Sequence, residues 1–137
     1  LMEDDLQKLS DSFYVTTDDG SKGEKGFVSD VLKRLLETDK SIKIVYAVGP
    51  ARMMQVTANT TRPFGVRTIV SLNPIMVDAT GMCGGCRISL NGEIKFACVD
   101  GPDFDAHGVD FEELIQRQAT YREQEATSLH QCQLDRK

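Results

Sequence analysis

Three of the four cysteines in this 137-residue chain lie close together, as Cys83-Gly84-Gly85-Cys86 followed by Cys98. Sulfurs that must meet dictate the path of the backbone between them. Asn91-Gly92, with Ile88 and Leu90 before it and Ile94 and Phe96 after it, is a strong two-residue hairpin signal. Folding about that turn pairs Leu90 with Glu93, and continuing the ladder pairs Cys86 with Ala97. Cys98 then returns beside the Cys83 to Cys86 loop, and the three sulfurs form a cradle for a metal. Gly81, Gly84 and Gly85 let the backbone come close to whatever the sulfurs hold.

Such a cradle lacks a fourth donor. The plant-type 2Fe-2S loop runs C-x4-C-x2-C before a distant cysteine, and the position that pattern gives to its first cysteine is occupied here by Asp78. A carboxylate carries the charge of a thiolate but is harder, so Asp78 as ligand predicts a less covalent iron bond and a shifted potential. Two other chemistries fit the same cysteines. A structural zinc site would use Cys83, Cys86 and Cys98 with either His107 or Cys132, as a stabilised interaction module without redox chemistry. A Cys83-Cys86 redox disulfide is the other, although such motifs open a helix after a strand, whereas here a hairpin follows.

Sixteen basic and 21 acidic residues give a net charge of -5, with 40% hydrophobic and 27% charged residues. No basic cluster with interleaved aromatics is present, which argues against nucleic acid as a partner. No apolar run reaches the roughly 20 residues of a membrane span, and no signal segment opens the chain. Cysteines packed into one loop and hairpin suit a reducing, cytoplasmic compartment. The chain begins at Leu1 instead of methionine, and the expectation is a C-terminal piece of a longer protein.

Taken in order, residues 1–11 have helical spacing, Phe13 to Thr17 reads as a strand, and Asp18-Asp19-Gly20-Ser21 as a turn. A helix follows Gly23-x-x-Gly26, with Phe27, Val28, Val31, Leu32, Leu35 and Leu36 on its apolar face. Ile42 to Val48 is a nearly continuous apolar run, suited to a central parallel strand buried on both faces. Pro50 fits the first position of a helix reaching Thr60, and Val66 to Leu72 is a further strand. Alternation of this kind predicts an α/β sheet, whose ligands bind at the carboxyl ends of the strands. Residues 18–23 and 49–54 are two such strand-end loops, although a turn and a capped helix would use the same residues. Val99 to Gly108 reads as loop, and Asp110 with Glu113 as the cap of a helix burying Phe111, Leu114, Ile115 and Tyr121. From about Ala126 the apolar repeat fades into a weakly held tail, and Cys132 is expected to have no cluster role.

Met76-x-Asp78-x-x-Gly81-x-Cys83-x-Gly85-Cys86, with Phe96-x-Cys98-x-x-Gly101-Pro102, resembles the cluster domain of electron-transfer subunits related to that of dihydroorotate dehydrogenase. Within these it is most similar to the small (alpha) subunits of the NADH-dependent ferredoxin:NADP reductase group, also called sulfide dehydrogenase-like. The resemblance covers about Asp18 to Tyr121. It implies metal ligands Asp78, Cys83, Cys86 and Cys98, aspartate replacing the first cysteine in that group. It implies a ferredoxin reductase-like NAD(P)-binding α/β domain over residues 1–73, truncated at its N-terminus, then a small 2Fe-2S domain over 74–124 with a β-hairpin and a C-terminal helix, and a tail over 125–137. Nucleotide contacts are implied at Asp18, Asp19, Gly20, Ser21, Gly49, Pro50, Met53 and Met54, with core packing the alternative for the two methionines. The aspartates after a strand favour NAD(H) over NADP(H). The implied activity is that of an oxidoreductase subunit exchanging electrons with NAD(P)H through FAD and relaying them through the cluster to a large flavoprotein/iron-sulfur partner subunit, with ferredoxin as redox partner. The flavin barrel and Gly-rich turn of that family are missing from the sequence, so the piece alone is expected to be inactive with NADH.

Overall fold

The computed structural model describes residues 2–134. The chain divides after Lys43 into two compact units.

In the first unit, α1 (Glu3–Leu9) has Glu3, Asp4 and Asp5 in its first turn and Lys8 in its last, the arrangement the helix dipole favours. β1 (Thr16–Thr17) pairs in parallel with β2 (Glu24–Lys25). The strand expected from Phe13 is therefore only two residues long, and its partner went unpredicted because Glu24-Lys25 has no apolar alternation. The Thr17 hydroxyl closes the intervening turn, donating to the Lys22 carbonyl at 2.9 Å and accepting from the Lys22 amide at 3.2 Å. α2 (Val28–Thr38) buries Val31 and Leu36. Phe27 and Val28, expected on its apolar face, are 64% and 48% exposed because they lie at the helix entry.

The second unit is built on a three-stranded sheet. β3 (Ile44–Ala47) runs parallel to β4 (Arg67–Ser71), which pairs antiparallel with β7 (Asp103–Asp105). Ile42 to Val48 was expected to be a central strand. Instead β4 is central, and among the described residues β3 pairs only with β4, leaving Ile44, Tyr46 and Val48 exposed on one face. An apolar run reports the tendency to be buried but not which neighbours exist. β7 corrects the loop expected over Val99 to Gly108: three residues between Pro102 and a 3-10 turn at Ala106–Gly108 are too short to show a period.

α3 (Ala51–Thr61) joins β3 to β4, with Pro50 as its N-cap, one position earlier than expected. Its buried stripe is Ala51, Met54, Thr57, Ala58 and Thr61, spaced three or four residues apart. Thr61 can belong to that stripe because its hydroxyl is satisfied within the helix and by Thr68 on β4. Thr68 donates to Thr61 Oγ1 at 2.6 Å, Thr61 reaches the Ala58 carbonyl at 3.1 Å, and His107 Nε2 lies 3.0 Å from Thr61 Oγ1.

β5 (Arg87–Leu90) and β6 (Glu93–Phe96) form an antiparallel hairpin with Leu90 opposite Glu93. Asn91 and Gly92 both adopt left-handed backbone (φ 52° and 81°), as a type I′ turn requires. α4 (Ala97–Asp100) follows at once, a single helical turn whose second half, Val99 and Asp100, lies in the expected loop. The Asp110 carboxylate caps α5 (Phe111–Gln118), accepting from the Glu113 amide at 2.9 Å. The Glu113 side chain does not return to the cap but accepts from Ser89 Oγ, tying α5 to the hairpin. Phe111 and Leu114 are buried as expected, whereas Tyr121 is 52% exposed because α5 has ended before it. α6 (Arg122–Leu134) makes a helix of the expected tail, exposed along its length to Cys132. Residues 135–137 of that tail lie outside the described residues. Among the described residues no helix is long and apolar enough to cross a membrane.

One core joins these pieces. Met54 from α3, Val70 and Leu72 from the β4 segment, Cys86 and Ile88 from the hairpin, Phe104 from β7, and Phe111 and Leu114 from α5 belong to a single buried cluster. Met54 has no exposed surface. Met54→Ala is therefore expected to lower the unfolding free energy by about 2 to 5 kcal/mol, the cost of a large-to-small change in a packed core. A urea titration would check this, and a change below about 0.5 kcal/mol, the size of ordinary surface substitutions, would contradict it.

Candidate metal centre

Cys86 is the residue just before β5, and Cys98 lies in α4 directly after β6. The ladder continues one step beyond Arg87 and Phe96, since the Ala97 amide donates to the Cys86 carbonyl at 3.2 Å. This closure brings Cys86 Sγ and Cys98 Sγ to 3.2 Å. That separation is too long for a disulfide, whose sulfurs are about 2.05 Å apart, and all four cysteines are free. Cys86 is buried, Cys98 half-buried and Cys83 exposed. The hydrogen-bonded Cys86 thiol beside it pushes the Cys98 thiol above its ordinary value, and burial adds to this, while the Gly81 amide pulls the other way.

Asp78 begins the loop. Its Oδ1 accepts from the Thr80 amide and its Oδ2 from the Cys83 amide, each at 3.0 Å. The Thr80 amide foremost, with Cys83, holds the carboxyl below the usual carboxylate range. The turn passes through Gly81 at φ 83°, a conformation glycine favours, and a Cβ there would stand 2.8 Å from Val99 Cγ2, so a larger residue would also have to push that side chain aside. The Gly85 amide donates to Cys83 Sγ at 3.4 Å. Arg117, on α5, donates to the Gly85 carbonyl at 3.2 Å and the Gly84 carbonyl at 3.5 Å. Sequence analysis missed this residue, whose only signal was an arginine in the last turn of a helix.

The donor set matches an iron-sulfur group. Two soft sulfurs stand together, a backbone amide already reaches a third, and a carboxylate is fixed to the amide of the nearest cysteine. Among the described residues no three His, Cys, Asp or Glu side chains close on a single point. A two-iron group asks for two pairs of donors instead, and the loop offers Cys86 with Cys98, and Cys83 with Asp78.

The residues expected to touch nucleotide lie in both units. In the first, Asp18, Asp19, Gly20 and Ser21 are exposed and form the turn after β1. Asp19 Oδ1 accepts from the Ser21 amide at 2.9 Å, which lowers its carboxyl below the ordinary value. In the second, Gly49 and Pro50 link β3 to α3, Met53 is half-buried with its methyl over Gly49, and Met54 is wholly buried. Core packing thus accounts for Met54. His107 stands against Thr61, and Cys132 is exposed on α6.

Residues 73–110 match the iron-sulfur cluster binding domain of dihydroorotate dehydrogenase B. Over 128 residues the chain is 52% identical to a Thermotoga maritima homolog of the dihydroorotate dehydrogenase B (NAD(+)) electron transfer subunit, covering 93% of this chain and 45% of that protein. A probable subunit of the same kind from Methanopyrus kandleri is 43% identical over 102 residues, 74% of this chain and 37% of the relative. A chain from the structure of NADH-dependent reduced ferredoxin-NADP oxidoreductase, described for flavin-based electron bifurcation, superimposes with a TM-score of 0.83 at 50% identity, covering 96% of this chain and 47% of its own length. The chain thus spans less than half the length of these relatives.

The exposures order the reactivity of the sulfurs. Native metal-free chain treated with iodoacetamide is expected to be alkylated first at Cys83 and Cys132 and last at Cys86, as peptide mass spectrometry would show. Equal rates at Cys83 and Cys86 would contradict this geometry.

Proposed function

We propose, from the premise that this chain is a homologue of the dihydroorotate dehydrogenase B electron transfer subunits, that it is the C-terminal part of an oxidoreductase subunit that exchanges electrons with NAD(P)H through FAD and relays them through a 2Fe-2S cluster to a large flavoprotein/iron-sulfur partner subunit. The observation that carries this is the Cys86 and Cys98 sulfur pair, held 3.2 Å apart within the matched segment. The ligands are Cys86, Cys98, Cys83 and Asp78, within a cluster segment of residues 74–124. When bound, the cluster supplies one-electron transfer. The chain's own residues fix the donors: the hairpin register places Cys98, and Asp78 folds its loop through the Thr80 and Cys83 amides. The zinc alternative loses force because the His107 ring already meets Thr61 and Cys132 sits on an exposed helix.

Each of three ligands has an exposed apolar neighbour in sequence: Val77 beside Asp78, Met82 beside Cys83 and Val99 beside Cys98. Exposed apolar residues around a redox site suit a protein surface that covers it, which supports the partner subunit, with ferredoxin a further redox partner. For nucleotide, Asp18, Asp19, Gly20 and Ser21 follow β1, while Gly49, Pro50 and Met53 follow β3. Asp19 is engaged by its own turn, so we assign to Asp18, exposed and with no hydrogen bond among the described residues, the role of accepting from a ribose hydroxyl and disfavouring a 2′-phosphate. This supports NAD(H) over NADP(H) in the full enzyme. Alone, the chain is expected to show no NADH turnover with an artificial acceptor.

Anaerobic reconstitution with iron and sulfide is expected to give about two of each per chain and visible sulfur-to-iron absorption. Asp78→Ala should lose iron, Asp78→Cys should keep a cluster with an altered spectrum, and Cys132→Ser should match the parent. Binding of one zinc per chain in place of iron would sink the relay reading. An alanine variant with the parent's spectrum and iron content would remove Asp78 from the ligand set.

A further inference from the structure

We propose that Arg117 is a positioning residue for the cysteine loop and raises the reduction potential of the group held there, acting through a single peptide plane. This rests on the iron-sulfur reading above. The guanidinium donates to the Gly84 carbonyl at 3.5 Å, and the amide of the same peptide, that of Gly85, donates to Cys83 Sγ at 3.4 Å. The peptide is trans, so its C=O and N–H point in opposite directions. Arg117 therefore sits at one end of this peptide dipole and the sulfur at the other.

A positive charge on the oxygen side draws electron density along the peptide and strengthens the N–H bond to sulfur, as hydrogen bonds in series do. The 3.2 Å bond to the Gly85 carbonyl fixes the next peptide as well, whose amide belongs to Cys86. One side chain thus orients two of the three peptides between Cys83 and Cys86.

No ion pair among the described residues ties up the guanidinium. Among the described residues no carboxylate pairs with Arg117. The side chain is half-buried, in the wall of a cavity of about 240 Å³ that it shares with Gly85 and Leu114, where charge is screened less than at the surface. Reduction of an iron-sulfur group adds one electron and hence one negative charge, so a fixed cation and amide bonds to sulfur both favour the reduced form. The end of α5 has a separate anchor, since Gln118 Nε2 donates to the Asn73 backbone oxygen at 2.9 Å and side-chain oxygen at 3.1 Å. Removing the guanidinium should leave the helix docked.

The test compares reconstituted parent, Arg117→Gln and Arg117→Lys by redox titration followed by electron paramagnetic resonance. Arg117→Gln is expected to keep the parent's iron content and to titrate at a more negative midpoint by roughly a tenfold change in the equilibrium constant, about 59 mV for one electron. Arg117→Lys, which keeps the charge but not the planar fork, should fall between. Parent and Arg117→Gln with equal iron, midpoint and spectrum would overturn the proposal. Hydrogen exchange at the Gly85 and Cys86 amides of metal-free chain gives a readout that needs no cluster. It should be roughly tenfold faster in Arg117→Gln, and unchanged exchange would overturn the clamp even if the variant took up no iron. A parent that binds no cluster would instead refute the reading on which the proposal rests, with the amide measurement still deciding the clamp.

Discussion

Cys86 and Cys98 meet in the candidate metal centre because the antiparallel ladder of the hairpin runs one residue past its named strands, with the Ala97 amide bonded to the Cys86 carbonyl. Side chains on a ladder alternate between faces, so a register slipped by one residue would turn Cys86 away from Cys98 and at the same time take Ile88 out of the core. The thiol pair and the core are therefore specified by one register. The turn protects it: Asn91 and Gly92 are among the few residues that adopt the two consecutive left-handed conformations a two-residue loop demands.

Around that hairpin the structure spends its polar contacts on the backbone. Asp78 accepts two loop amides, Arg117 donates to two loop carbonyls, and Glu113 accepts from Ser89 on β5. Each joins the cysteine-bearing segments to a loop or to α5, and the side chains buried beneath them are apolar. Metal ligands need this arrangement. Sulfurs supply little direction of their own, so the amides and carbonyls beside them have to be held from outside the first circle of contacts.

The residues that matched expectation are those whose chemistry acts over a few positions. Asn91-Gly92 marks its turn, Asp110 caps α5 through the Glu113 amide, and the stripe from Val31 to Leu36 marks α2. Residues whose role depends on distant partners were opaque. Thr61 and Thr68 look like surface residues until the structure bonds them to each other beneath His107. Arg117 looks like an ordinary helix-ending cation until it meets Gly84 and Gly85.

By itself, the sequence determined that three cysteines and an aspartate share one loop and hairpin, because tight turns and ladder pairing follow from neighbouring residues, and it determined the alternation of helix and strand. Which strand is central was decided only by the tertiary structure. β4 holds that place because β7, three residues hidden in an apparent loop after Cys98, comes back across the chain to pair with it, leaving β3 at the side. Sheet order is a contest among long-range partners, and a segment's own composition carries its preference for burial without recording which partner wins.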